Sequence, residues 1–452
     1  MKKHFALISM FITIFNYVNA QWSELGGLNG LAANNGIYTI CSDSSGNICA
    51  AGAFTYITGV NQCVAQYNGS SWTELGGLNG LPANSSILSI CKDDSGNIYA
   101  AGLFANASLK KYVAKWDGAS WSELGGLNGL AVTGGISTIC SDNSGNIYAA
   151  GNFQNSLGKK YVAKWNGTSW SELGGLNGLG AYGVIKSICS DDSGNIYAAG
   201  DLRINLINRN VVAKWDGISW NELGGPNGLA SIASNSDIYS ICSDDSGNIY
   251  AAGEFSNSSN KRFVAKWNGI NWSELGGLNA LSANWYIYSV CSDASGNIYA
   301  AGDFRNSSVN RYVAKYNGST WTELGGLNGL AANGIIHSVC NDVSGNIYAA
   351  GQFTNSSGNY YVAKYNVVTG LFENSLDTEI NIYPNPCRGE FNIQSSNFSI
   401  DRIEINNVLG ENIYKQNINS KDQAISHKMD PGIYFIKIIS GEKTFTKKLI
   451  IQ

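Results

Sequence analysis

The sequence predicts an all-β protein: a seven-bladed β-propeller followed by a small C-terminal β-sandwich. Three observations predict it. A Trp-x-Glu-Leu-Gly-Gly element recurs seven times, starting at Trp22, Trp72, Trp121, Trp170, Trp220, Trp272 and Trp321. The spacings of 50, 49, 49, 50, 52 and 49 residues are those of a stacked or closed array. Each unit resolves into four short strands, the content of one propeller blade. The composition agrees: 54 Gly against 5 Pro, with abundant Asn and Ser, reads as many turns, and no segment holds a helical period.

Residues 1–20 read as a secretory signal peptide. Lys2 and Lys3 precede an apolar run from Phe5 to Phe15, and Val18-Asn19-Ala20 offers a cleavage site before Gln21. That run is too short to span a bilayer, and no other stretch reaches the roughly 18 apolar residues a membrane helix needs. No transmembrane segment is therefore expected. Removing two lysines moves the formal charge from −4 to −6, which argues against a nucleic-acid partner.

The propeller is expected over residues 21–372. In the fifth copy its strands are 238–243, 248–255, 263–267 and Trp220–Leu223 or its equivalent Trp272–Leu275. Ser246-Gly247-Asn248 sits between two apolar strands, and Gly247 can take positive φ in a tight hairpin. Asp244 and Asp245 can accept hydrogen bonds from turn amides. Asn268-Gly269 marks the second hairpin. The strand at Trp22 precedes any complete blade, and the last copy ends without a Trp. Trp22 should therefore complete the last blade and close the ring, which limits exposed sheet edges. The order Ile-Tyr-Ala-Ala-Gly, then Trp-Asp or Tyr-Asn, then Trp resembles the kelch-like propellers, with Ala-Gly where kelch has Gly-Gly.

The repeat stops at residue 372, and 373–377 read as a linker. Residues 378–452 carry INIYPNPCRGEFNI, RIEINNVLGENIYKQ and DPGIYFIKIISGEKTFTKKLIIQ. The blocks read as six or seven alternating strands, a small sandwich. With Pro384-Asn385-Pro386, Leu409-Gly410, Gly432-Ile433-Tyr434 and Lys447-Lys448 in place, they resemble the type A C-terminal sorting domain of the type IX secretion system. Cys387 stands where a small or hydroxyl residue is more usual. The resemblance implies a Gram-negative Bacteroidota source, Sec export, passage through the outer membrane by the type IX machinery, and release or attachment at the surface.

Ten cysteines would suit disulfides in an exported chain. Seven occupy one repeat position (Cys41, Cys91, Cys140, Cys189, Cys242, Cys291 and Cys340) and read as small core residues. Cys49 and Cys63 replace an aromatic or apolar residue on adjacent strands of the first blade. They form the candidate disulfide. The Asp turns lack the dense acidic spacing of calcium loops, so no metal or other cofactor is expected.

Regularly spaced Trp reads as packing between blades. The one Trp outside the repeat is Trp285, and with Tyr286 it interrupts a loop, which makes the pair a candidate binding site. There is no G-x-S-x-G, no H-E-x-x-H and no phosphate loop. His337 reads as one variable strand residue. The loop between the second and third strands varies most, and in five copies it carries a basic pair: Lys110/Lys111, Lys159/Lys160, Arg203/Arg209, Lys261/Arg262 and Arg305/Arg311. One propeller face should then be basic and the face of the Asp turns acidic. The function expected is non-catalytic surface binding or adhesion, with anionic glycan or surface polysaccharide as partner. The alternatives are a polysaccharide-acting glycosidase or lyase with carboxylates drawn from different blades, and a purely structural surface component.

Overall fold

The computed structural model describes residues 21–43, 45–55, 61–204, 210–225, 228–366, 380–395, 398–407, 411–441 and 443–452. The signal peptide, the linker, Arg209 and Leu409-Gly410 lie outside the described residues. Two compact units meet in the chain between Val367 and Val368.

The first unit is seven four-stranded antiparallel sheets. The third blade shows the pattern: Ile136–Ser141, Ile147–Gly151, Ala163–Trp165 and Trp170–Glu172. The ring closes as the strand order requires, because Trp22–Glu24 pairs antiparallel with Ala363–Tyr365.

The Asp turn is built from one carboxylate. In the third blade Asp142 Oδ1 accepts the N–H groups of Ser144 and Asn146, both at 2.9 Å. Its Oδ2 accepts the Asn146 side chain at 2.7 Å and the Tyr148 hydroxyl at 2.9 Å. The phenol bond recurs in six blades, and Asp93, Asp142, Asp191 and Asp342 are buried. In those same blades a Lys ammonium stands 5.6–6.0 Å from the centre of the Tyr ring. At this end of the strands the second Asp of three turns, Asp94, Asp192 and Asp245, is exposed. The first Asp of each turn folds inward because it holds the hairpin together.

Two belts of hydrogen bonds tie the blades into a ring. The inner belt joins first strands: Ile40 N–H to Ser338 Oγ, then Ile90 to Thr39, Ile139 to Ser89, Ile188 to Thr138, Ile241 to Ser187, Val290 to Ser240 and Val339 to Ser289. That makes the first strand the innermost one, around the propeller axis. The outer belt is the tryptophan indoles. Each donates Nε1–H to the Leu carbonyl of the preceding blade, from Trp22 to Leu324 (2.9 Å) round to Trp321 to Leu275 (3.0 Å).

Between each pair of blades lies an apolar core. Tyr148, Ala150 and Val162 of the third blade meet Ile185, Ile196 and Leu202 of the fourth. The repeat cysteines fill these seams: Cys140 packs here, and Cys41 packs on the core shared with the second blade. Burial pushes the Cys140 thiol well up and the Cys291 thiol to about 12, as expected of packing residues rather than nucleophiles.

The candidate pair Cys49 and Cys63 does not meet. Cys49 stands opposite Gln66 on the neighbouring strand and opposite Cys41 on the other side. Its side chain faces the second blade, whereas Cys63 packs toward the seventh. The register puts the two on opposite faces of the sheet, since side chains alternate along a strand.

The second unit has seven strands in two sheets, of three and four strands, around one core that includes Phe391, Ile403, Ile436 and Leu449. Asn385 of the Pro-Asn-Pro stretch clips the last strand: its Nδ2–H donates to the Lys448 carbonyl at 2.7 Å and its Oδ1 accepts Ile450 N–H at 2.9 Å.

Candidate functional site at the channel mouth

One irregularity repeats in all seven blades. The register of the first two strands slips by one residue, between Ile136 and Thr138 in the third blade and at the matching place in the others. The unpaired residues are Tyr38, Leu88, Ser137, Lys186, Tyr239, Tyr288 and His337. A bulge frees one side chain from the ladder and re-aims it. A glycine opposite makes this possible: a Cβ on Gly200 would lie 2.2 Å from the Val184 carbonyl oxygen. In otherwise near-identical strands, this position holds five residue types across the seven blades, Tyr in three of them.

Five of them form a continuous arc across blade boundaries. Lys186 Nζ lies 4.5 Å from the centre of the Tyr239 ring, and Tyr239 stacks on Tyr288 at 5.1 Å and 20°. Tyr288 lies 5.6 Å from His337, which meets Tyr38 edge-on at 5.4 Å. Tyr286 extends the arc toward Trp285, at 6.1 Å from Tyr239 and 5.4 Å from Trp285. The Arg262 guanidinium lies over both, 6.0 Å from Trp285 and 5.3 Å from Tyr286. The predicted Trp285, Tyr286 and Arg262 thus join a larger aromatic site on blades four to seven and one.

Acids line the same half. Asp201, Glu254 and Asp303 each follow the glycine that ends a second strand, and Asp237 precedes a bulge. Lys186 pairs with Asp237, Arg203 with Asp201 at 3.4 Å, and Arg311 and Arg305 (3.7 Å) with Asp303. Burial lowers the His337 pKa to about 4 against the opposing pull of Asp303, so the ring is neutral at pH 7. Its buried Nε2 has no hydrogen-bond partner among the described residues. Burial raises the Tyr239 and Tyr288 phenols, helped by Glu254 and Asp303 respectively. No group of three or more His, Cys, Asp or Glu among the described residues is placed to hold a metal ion.

The remaining basic residues lie elsewhere. Lys110, Lys111, Lys159 and Lys160 belong to blades two and three. Lys159 Nζ lies 3.0 Å from the centre of the Tyr182 ring and Lys160 donates to Gln154 at 3.2 Å. Lys261 is exposed on blade five. Among the described loop residues Arg203, Arg305 and Arg311 are ion-paired, whereas Arg262 lies over the two rings. The aromatic arc escaped the sequence reading, although variation at one strand position, with His337 its rarest member, was the available signal.

The architecture and the tail together define an exported β-propeller. Residues 381–452 match the family model of the secretion system C-terminal sorting domain. That tail directs the chain through the type IX system to the cell surface or the extracellular space. A 76-residue stretch is 32% identical to ulvan lyase NLR42 of Nonlabens ulvanivorans, covering 16% of this chain and 14% of that protein. PorZ of Porphyromonas gingivalis, an essential surface component of its type IX secretion system, superposes with a TM-score of 0.50 at 13% identity over 92% of this chain and 59% of PorZ. The WD40 propeller domain of Doa1 gives 0.46 at 11% identity over 75% and 95%. At such identities the likeness shows the fold alone. No helix among the described residues is long and apolar enough to cross a membrane.

Proposed function

We propose that this propeller is a non-catalytic surface-binding protein whose channel mouth takes up an extended glycan, with acidic sugars favoured. The observation that carries the reading is the arc Tyr38–His337–Tyr288–Tyr239, in which four blades place their rings in one continuous series of stacked, tilted and edge-on contacts. Aromatic faces stack on the apolar faces of sugars. The surrounding paired acids and arginines offer fixed donors and acceptors to hydroxyls. Rim lysines would add salt-sensitive steering of an anionic chain.

The test is a glycan array probed with the mature chain at low and physiological salt. Binding should fall by about twofold to tenfold in each of Tyr288→Ala and Tyr239→Ala, roughly the 0.5–1.5 kcal/mol that an aromatic contact supplies. Reversing Lys110 and Lys159 should weaken only the low-salt signal. Binding indifferent to both tyrosines would defeat the reading. A second reading, a polysaccharide lyase, draws on the neutral His337 with its free Nε2 beside two phenols. It requires an unsaturated product from a uronate polysaccharide, absorbing in the ultraviolet and lost in His337→Ala.

A further inference from the structure

The repeat L-G-G-L-N-G-L holds three leucines in seven residues, and the structure uses only two of them. Leu25 and Leu31 are both buried at 5%, whereas Leu28 between them is 108% exposed. Leu127, Leu278 and Leu327 repeat this at 108%, 106% and 66%. The cause is local: Gly26 and Gly27 both take positive φ, 93° and 53°, and turn the leucine outward. Six of seven copies have Leu at this position and the fifth has Pro226. Single exposed apolar residues need no account, but four of them at one repeat position do. The side chain contributes nothing to the blade, so the fold does not explain the repetition.

A second set of apolar tips adjoins the first. Asn106 and Asn306, which open the variable loops, donate to the outer-strand carboxylates Glu123 and Glu323 at 3.1 Å. These bonds tie the variable loop to the outer strand that leads into the Leu-Asn turn, and in blade six Asn328 next to Leu327 also bonds Ser308 and Asn310. The tips Leu109 and Val309 are exposed at 78% and 63%. In blade three the tip itself is Gly158, and the apolar residue is Leu157 just before it, exposed at 80%. Lys110 follows the Leu109 tip, and Lys159 and Lys261 follow the tip position in blades three and five, Lys159 lying against the Tyr182 ring. The glutamates beneath are turned into the loops by their Asn donors. The opposite end also exposes Ile218 and Ile270, but the other copies of that turn carry Ser, Ala or Thr.

We propose that this rim docks the propeller on an anionic lipid bilayer surface. Leucines standing free at a shared level, interleaved with lysines, combine apolar insertion with attraction to acidic headgroups. Several weak anchors on one rigid ring act together. A second copy of the chain is a poor occupant, because a rim meeting its twin would oppose lysine to lysine. The proposal does not rest on glycan recognition, and it would turn the channel mouth toward the surface.

The experiment is flotation of the mature chain with vesicles of phosphatidylethanolamine and phosphatidylglycerol, against vesicles of phosphatidylcholine alone. Binding to the anionic vesicles only, weakened by salt, is expected. A variant with Leu127→Ser, Leu278→Ser and Leu327→Ser should lose at least about a hundredfold, on the order of tenfold per leucine withdrawn from lipid. These side chains are free of the core, and unchanged tryptophan fluorescence would confirm folding. Absence of wild-type flotation would overturn the proposal. So would equal binding by the leucine variant. Concentration-dependent self-association that the same variant abolishes, without flotation, would assign the rim to a second copy instead.

Discussion

Asp142→Ala tests whether the turn carboxylate holds the blade. The substitution removes the acceptor of four hydrogen bonds. Two come from turn amides that water can reach, and one from the Asn146 side chain. Together these three are worth about 1–2 kcal/mol, the size of a lost helix cap. The fourth comes from Tyr148, whose residue is 2% exposed. Leaving that hydroxyl unpaired costs about 1–3 kcal/mol more. The total is about 2–5 kcal/mol. The first blade is the internal control. There Cys49 replaces the tyrosine, and Asp43 meets only the weak Gln66 contact at 3.5 Å besides its own turn. Asp43→Ala should therefore cost only the turn share, about 1–2 kcal/mol. Urea unfolding followed by tryptophan emission reads the difference, since all 12 Trp lie in residues 22–321 and report the propeller alone. If the two variants agree within about 0.5 kcal/mol, the usual error of such comparisons, the phenol bond has no structural role and the argument fails.

Two further outcomes follow from the same geometry. His337 has its pKa lowered to about 4, so the unfolded chain takes up its proton first as pH falls. Stability should drop between about pH 6.5 and pH 4 by up to about 3 kcal/mol, and His337→Gln should flatten that slope in melting curves across the window. The carboxyls of Asp93, Asp142 and Asp244 add a separate loss at lower pH: burial pushes them up, but hydrogen bonds outweigh it and hold them below the usual range. Under a disulfide oxidant such as oxidised glutathione, Cys41 and Cys49 are the pair able to bridge. Cross-strand partners have Cα atoms about 4.5–5.5 Å apart, within disulfide reach. Thiol titration of the unreduced denatured chain should then count two thiols fewer, with both residues in one crosslinked peptide. A Cys49–Cys63 peptide would contradict the register.

Most of the fold was legible because it is written seven times. Gly in the Asp turn, Asn-Gly at the second turn and the displaced Trp22 strand each carry a local physical signal, and each recurs. The site was less legible for two reasons. A β-bulge breaks the alternation by which strand faces are read, so Tyr38, Tyr239 and His337 look like ordinary strand positions. The arc also joins residues from different blades, and Tyr38 and His337 are neighbours only once the ring closes. The error over Cys49 and Cys63 has the same root, since sequence places residues on adjacent strands without fixing which face they share. Trp285 and Tyr286 were visible because they disturb a loop whose other copies agree.

The first blade shows why repetition here encodes shape. Where six blades have Tyr, it has Cys49. Where the same six have Lys above that ring, it has Gln66. The two changes belong together. A lysine held near a phenol ring gains from cation–π attraction and from the buried carboxylate that the hydroxyl serves. Once the ring is gone, an ammonium there has lost its partner, and an uncharged amide reaching toward Asp43 and Cys49 is the better occupant. Asp, Tyr and Lys therefore behave as one structural unit, replaced jointly or kept jointly. The indole belt and the inner hydroxyl belt constrain other positions in the same way, since each bond links a blade to the next and a gap would open the ring. What remains free is the bulge residue, the residue after the second-strand glycine, and the loop tips. Those are the positions that gather the unlike Tyr, His, Lys and Asp at one mouth and the varied tips such as Leu109 and Val309 around it.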